Sequence, residues 1–426
     1  MSRMIDVAVV GAGPYGLSVA AHLLERGVDV CTFGIPMQTW DESMPVGMML
    51  KSEGFASSLS APRRELTLGA YCTERGLPYG DIGVPVSAEL FARYGKDFQR
   101  QYVPDVIRDD VTSVTTTANG FRLVTGRKEE FFARRVVVAS GIRSFHHIPP
   151  ELGSLPRAFL SHSVEYGDAA ALQGREVVVV GAGSSAADMA AHLRLRGAAP
   201  RIVTRRRAIV FQTPLGARSL GERIKAPMTG LGPGWKSVFC VHAPLLFHAM
   251  PESFRVDVVR RYLGPAPGWY ARAQVEGHVP CTLQSTVLGA EVAQDRVRLL
   301  LRGADGTQTS LLADHVIAAT GYRVDVERLL FLSGEIRRGL KLAGRAPQLS
   351  VNFESSTPGL YFVGTAAANS FGPMLRFVYG TDFAASRVSR HLVSQLRESP
   401  RSHASGVPTL RKGRQSLART AKETVR

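Results

Sequence analysis

The sequence predicts an α/β fold made of two similar units, each organised around a parallel sheet, and three observations carry that expectation. The stretch "VAVVGAGPYGLSVAAHLLERG" at residues 7–27 returns as "VVVVGAGSSAADMAAHLRLRG" at residues 177–197. Behind each opening comes a hairpin-like stretch, first "VTSVTTTANGFRLVTGRKEEFFARR" and later "VLGAEVAQDRVRLLLRGADGTQTSLLADH". Each unit then closes on a short apolar run ending in glycine, "VVVASG" and "VIAATG", so that Gly11 and Gly141 stand 130 positions apart and Gly181 and Gly321 stand 140 apart. A lone glycine motif is weak evidence, but one that returns with its whole sequel at nearly the same spacing marks an internal duplication.

In the first unit, Ile5 to Val10, apolar at every position but Asp6, is a run of the kind buried on both faces of a parallel sheet. It turns into a helix at "GAGPYG", where Gly11 permits the tight turn, Gly13 lets the backbone approach a pyrophosphate and Gly16 lets helix and strand pack closely. Pro14 and Tyr15 complete the loop. The helix start then offers unpaired N–H groups and its positive dipole end to the phosphates. Leu17, Ala20, Ala21 and Leu24 give the helix an apolar face, and Gly27 stops it. Such a unit normally ends its second strand on an acid that binds the adenosine ribose. This chain has Gly34 there, so the adenosine is expected to be held by backbone or by neighbours such as Gln38 and Trp40.

The second opening, Gly181, Gly183, Ser184, Ser185 and Ala186, leads to a different strand end. "RIVT" runs into Arg205, Arg206 and Arg207, where an NAD site would place a carboxylate for the ribose hydroxyls. Guanidinium groups there would grip a 2′-phosphate by charge-assisted hydrogen bonds, so this unit reads as an NADPH site. Two dinucleotide sites, one for NADPH, imply an electron acceptor in the other, and FAD is the acceptor that uses this loop.

Composition excludes other classes. With 426 residues, 45% of them hydrophobic, the chain can bury a large core. Its net charge of +16 is partly local, because residues 397–426 hold eight Lys or Arg against two acids. That segment lacks the aromatic residues a nucleic-acid surface would interleave with its charges, so no nucleic-acid partner is expected. Cys31, Cys72, Cys240 and Cys281 form neither a CxxC pair nor a disulfide framework, which fits a reducing cytoplasm. No apolar run reaches membrane-spanning length, and no metal-ligand cluster or Ser/His/Asp triad is found.

With "GAGPYG" followed by Trp40, the linker "SHSVEY" at Ser161 to Tyr166, "GAGSSA" with its arginines, "ATGY" at Ala319 to Tyr322 and "GLYFVG" at Gly359 to Gly364, the chain resembles the two-dinucleotide-binding flavoproteins of glutathione-reductase-like fold. Within them it looks like the class B, or flavin-containing, monooxygenases. The resemblance implies a discontinuous FAD domain (residues 1–150 and 322–396) with an NADPH domain (151–321) inserted in it. It also implies a helical insert at about 211–270 and a basic flexible tail over 397–426. Gly141, Thr320, Gly321 and Gly364 would then lie against the nucleotides, and Pro373, Met374 and Leu375 would open a helix aimed at the flavin. Lys51, in "MMLKSEG", stands near where many relatives carry an asparagine beside the flavin, and His162 in the "HSxxY" core would be a hinge or nicotinamide contact.

The implied function is an FAD-dependent, NADPH-consuming monooxygenase. It would pass one oxygen atom of O₂, by way of a C4a-(hydro)peroxyflavin, to a small organic substrate. An NADPH-dependent flavin reductase or oxidase and a non-catalytic nucleotide sensor stay open, as does a homodimer.

Overall fold

The computed structural model describes residues 4–63, 65–165, 169–214, 216, 218–264 and 266–398. Strand β1 (Met4–Val10) leads into helix α1 (Pro14–Glu25) and strand β2 (Val30–Phe33). The chain continues through α2 (Gln38–Glu42), α3 (Leu68–Glu74) and α4 (Ala88–Tyr102) to four strands, β3 (Val106–Ile107), β4 (Val111–Thr117), β5 (Gly120–Thr125) and β6 (Glu130–Val138). These strands form one sheet in the order β3-β2-β1-β6-β5-β4. β1 pairs in parallel with β2 (Val7 opposite Val30) and with β6 (Val10 opposite Val138), whereas β4, β5 and β6 form an antiparallel meander.

The centre of this sheet is covered on both faces, which is why Val7, Ala8 and Val9 have no exposed surface. Helix α1 is buried at every position from Gly16 to Leu23, while Leu24 is 37% exposed. The expected single apolar face that included Leu24 is thus replaced by a helix enclosed nearly all round. The enclosing partner comes from the far end of the chain, α13 (Thr381–Glu398), whose Asp382 accepts from Ser60 Oγ, itself 2.9 Å from His22 Nε2 of α1. Gly27, at φ +72°, ends α1 in the left-handed conformation that suits glycine.

The second copy repeats the scheme. β7 (Leu160–His162), β8 (Glu176–Val180), β9 (Ala199–Val203), and much later β12 (Cys281–Thr282) and β16 (His315–Ala318) form a parallel sheet in the order β12-β9-β8-β16-β7. Helix α5 (Ser184–Leu195) follows β8. β13 (Thr286–Ala293), β14 (Arg296–Arg302) and β15 (Gln308–Ala313) make the antiparallel counterpart of the first meander. Between the third and fourth of these parallel strands the chain folds a small hairpin, β10 (Met228–Thr229) with β11 (Gly232–Pro233). It also folds five helices there: α6 (Leu220–Lys225), α7 (Trp235–His242), α8 (Pro244–Ala249), α9 (Glu252–Arg261) and α10 (Trp269–Val275).

After α11 (Gly334–Gly339) and the hairpin β17 (Leu342–Ala343) and β18 (Ala346–Pro347), strand β19 (Leu360–Phe362) returns to the first sheet beside β6, with Phe362 opposite Val138. A short α12 (Ala368–Phe371) follows. Two expectations are corrected in this region. Pro373 opens only a four-residue 3₁₀ turn, Pro373–Arg376, because Phe377 is extended at φ −119° and interrupts it before α13 begins at Thr381. The basic tail does not begin at 397, since α13 continues through Glu398; residues 399–426 lie outside the described residues.

Candidate functional site

The two glycine loops have the same local construction. At both Gly11 (φ +115°) and Gly181 (φ +148°) a Cβ would overlap a carbonyl oxygen from the end of the partner strand, Ala139 in the first unit and Ala319 in the second. A Cβ at Gly16 would overlap the Gly11 carbonyl, whereas one at Gly13 meets nothing within 4 Å. The first and third glycines therefore serve packing, and the second leaves room in front of the helix, as a bound pyrophosphate requires. Gly13 and Gly183 are the residues before the first turn of α1 and of α5.

Around the first loop, Tyr15 is a tie: its hydroxyl donates to the Phe377 carbonyl at 2.8 Å, and its ring lies against Gly364, where a Cβ would come within 3.2 Å. Trp40 packs its ring edge-on against Phe91 at 4.7 Å, beside the half-buried Gln38. Gly141 and Gly321, at φ +68° and +81°, both leave open space where a side chain would project. Met374 and Leu375 are buried.

Gly34 is more than a missing acid. It has φ +118°, and a Cβ would lie 3.2 Å from the Ala12 backbone nitrogen. The strand end here is thus built for glycine, and an acid would have to strain it. Gly34→Glu is expected to lower stability by about 1–3 kcal/mol and to weaken nucleotide binding, where the sequence alone suggests tighter or unchanged binding. A thermal unfolding midpoint equal to that of the unmodified protein would contradict this.

A cavity of about 1150 Å³ joins the second loop to the first unit. Gly181, Gly183, Ser184, Ser185, Arg205 and Arg206 line it, as do Thr320 and Gly321. Lys51 and Thr365 bring the first unit to its wall. Arg205 and Arg206 are exposed, whereas the Ser184 hydroxyl is committed to the Ala266 carbonyl at 2.7 Å. Ala186 is fully buried beneath the loop.

Lys51 does not present a free cation. Its Nζ lies 2.6 Å from Asp188 Oδ2 and 2.5 Å from the Tyr270 hydroxyl, which in turn donates to the Met49 carbonyl at 2.7 Å. Asp188 sits on α5, the helix of the second loop, and only 6% of its side chain is exposed against 20% for Lys51. Burial pushes the Asp188 carboxyl above the usual carboxylate range, opposed by the Lys51 ammonium. This bridge connects the segment after α2, the second nucleotide helix and α10 at one point on the cavity wall. Asp188 and Tyr270 were not singled out from the sequence. A lone acid among the alanines of "SSAADMAAH" was the available signal for the first, and nothing local signalled the second.

His162 is fully buried and both ring nitrogens are engaged. Nε2 lies 3.1 Å from the Gly321 carbonyl, and Nδ1 accepts from Val164 N–H at 3.2 Å, an arrangement that suits the neutral ring. Desolvation, reinforced by His146, lowers its pKa to about 4. This pins the end of β7 to the "ATGY" turn and leaves no nitrogen for proton transfer. Tyr166, at the end of the same linker, lies outside the described residues. A base whose pKa is depressed on folding favours unfolding once the pH falls below its unfolded value near 6.5. Stability is therefore expected to fall on the order of 3 kcal/mol as pH drops from 6.5 to about 4. His162→Gln should flatten that slope in chemical denaturation measured across this range.

The family model for pyridine nucleotide-disulphide oxidoreductases matches residues 5–230. The uncharacterized oxidoreductase CzcO of Bacillus velezensis is 30% identical over 196 residues, 45% of this chain and 52% of that protein. The chain thus spans about half the length of the first curated relatives it matches. Indole-3-pyruvate monooxygenase YUCCA1 of Oryza sativa subsp. japonica is 26% identical across 92% of this chain and 93% of its own length. Among solved structures, the ornithine hydroxylase PvdA of Pseudomonas aeruginosa superposes with a TM-score of 0.72 at 16% identity, covering 92% of this chain and all of PvdA. At that identity the likeness is one of fold, the two-dinucleotide-binding arrangement.

Proposed function

Because the chain belongs to the pyridine nucleotide-disulphide oxidoreductase family, we propose that it is an FAD-dependent, NADPH-consuming monooxygenase that transfers one oxygen atom of O₂ to a small organic substrate. The observation that carries this reading is the cavity running from the second glycine loop and its exposed arginines to Lys51 and Thr365 of the first unit. A reaction needing both nucleotides and a third molecule requires such a shared space.

The residues fit the two cofactors unequally. The first loop fits FAD at its pyrophosphate, with open space at Gly13 and a helix start behind it, but offers no ribose carboxylate at Gly34. The second loop fits NADPH throughout, with Gly183 at the start of α5 and Arg205 and Arg206 free to meet a 2′-phosphate. We accordingly assign residues 1–150 and 322–396 to FAD and 151–321 to NADPH. FAD, reduced by NADPH, supplies the activation of O₂. The chain's own residues bind and enclose: Trp269, Tyr270 and Phe377 give the cavity aromatic walls that limit water, and Asp188 holds the Lys51 ammonium in place. Four free cysteines with no redox pair oppose a disulfide reductase and suit the cytoplasm. No helix among the described residues is long and apolar enough to cross a membrane.

The purified protein is expected to be yellow and to release FAD on denaturation. With a productive substrate, H₂O₂ should fall well below the NADPH consumed. Release of FMN overturns the cofactor assignment. H₂O₂ equal to NADPH with amines, sulfides, ketones and aromatic acids alike would favour an oxidase instead.

A further inference from the structure

One cation on the cavity wall has no counter-charge. Arg376, at the end of the Pro373–Arg376 turn, is half-buried and lines the same cavity as Thr365 and Phe377. Its guanidinium donates to three main-chain carbonyls that follow or end α9: Val259 at 3.1 Å, Tyr262 at 2.9 Å and Leu263 at 2.9 Å. Those bonds hold the group rigidly and use three of its five N–H donors; of the other two, Nε is buried without an acceptor among the described residues, and one belongs to Nη1. Desolvation lowers its pKa, and Arg376 forms no ion pair among the described residues. The other cations on the wall differ. Lys51 is neutralised by Asp188, and Arg205, Arg206 and Arg323 are exposed to solvent.

A desolvated cation fixed by carbonyl oxygens attracts an anion more strongly than an exposed one, because less water screens it. Capping the end of α9 explains the three carbonyl contacts and offsets part of the charge, but it supplies no acid to pair with the cation beside a cavity with Trp269 and Phe377 in its wall. We propose that Arg376 anchors an anion subsite and that the substrate is an organic acid, its carboxylate held by Arg376 and its apolar body against those aromatic rings. The word substrate rests on the monooxygenase reading; the anion subsite itself does not.

The test is equilibrium binding to the flavin-loaded protein by calorimetry, with phenylacetate and its neutral isostere phenylacetamide as probes. The unmodified protein should bind the acid roughly tenfold to a hundredfold more tightly than the amide. Arg376→Gln should abolish that preference and Arg376→Lys should keep part of it, while Arg206→Ala leaves it intact. Equal binding of acid and amide by the unmodified protein overturns the proposal without any variant, and so covers the case in which Arg376→Gln does not fold. Loss of the preference in Arg206→Ala would move the subsite to the exposed arginines. The flavin midpoint potential, measured without probe, should be the same in unmodified protein and Arg376→Lys and Arg376→Gln. A marked fall in Arg376→Gln alone would instead pair this charge with the reduced flavin ring. Failure of the monooxygenase reading appears separately, as H₂O₂ matching NADPH, and leaves the binding result untouched.

Discussion

In Arg206→Ala, and similarly in Arg205→Ala, the preference for NADPH over NADH is expected to fall by roughly tenfold to a hundredfold, the equivalent of about 1.5–3 kcal/mol for one charge-assisted contact. Both side chains line the cavity just beyond β9, on the strand end where a nucleotide ribose is met in this fold, and neither is tied down by an acid among the described residues. Their exposure places each single substitution toward the lower end of that range, since solvent screens the contact. The double variant should exceed either one, and kcat/KM for the two coenzymes measures it. Comparable use of NADH and NADPH by the unmodified protein would remove the basis for the assignment.

Lys51→Met should produce the largest loss of stability among these substitutions. It strands Asp188, which is almost wholly buried and has the Lys51 ammonium 2.6 Å away as its counter-charge. Removing one partner of a buried pair costs about 3–5 kcal/mol, and the partial exposure of Lys51 points to about 3 kcal/mol here. The pH dependence follows from the carboxyl. Burial already holds its folded pKa above the unfolded value, so the folded state keeps a proton that the unfolded state has lost, and stability declines as pH rises through that window. Without Lys51 the window widens upward. The gap in unfolding midpoint between unmodified protein and Lys51→Met should therefore be larger at pH 8 than at pH 5. Lys51→Met combined with Asp188→Leu should recover most of the loss, because an apolar pair of similar volume carries no buried charge. A gap independent of pH would mean that Asp188 is not the group responsible.

Much of the fold was legible because it is written in local pattern. An unbroken apolar run, a glycine turn and a helix sequence describe a strand–loop–helix unit without reference to anything distant, and "VAVVGAGPYG" and "VVVVGAGSSA" each do so. Even the antiparallel stretches behind them were visible as hairpin-like segments. The site was legible only where backbone conformation carries it. Gly11, Gly16 and Gly181 stand where a Cβ cannot fit, and Gly13 where one would project into open space.

Side chains whose roles depend on a remote partner were read less well. Lys51 was expected beside the flavin, where many relatives carry an asparagine, and the sequence did not show that it meets Asp188 across 137 positions. His162 was expected as a hinge or nicotinamide contact, and packing against the "ATGY" turn makes it a buried fastening. Leu24 fitted the helical period but is 37% exposed, because the buried stretch of α1 ends at Leu23.

By itself, then, the sequence determined that this chain has two dinucleotide loops in a repeated α/β scheme, with a basic strand end in the second unit. Short-range periodicity and glycine geometry act within a dozen residues and need no tertiary context. Only the tertiary structure decided that Gly34 must be glycine at φ +118°, that Lys51 is neutralised, and that Arg376 faces the cavity with no acid to pair it among the described residues. Those outcomes depend on which desolvated groups packing brings within hydrogen-bond reach, and that distance is set by the whole fold.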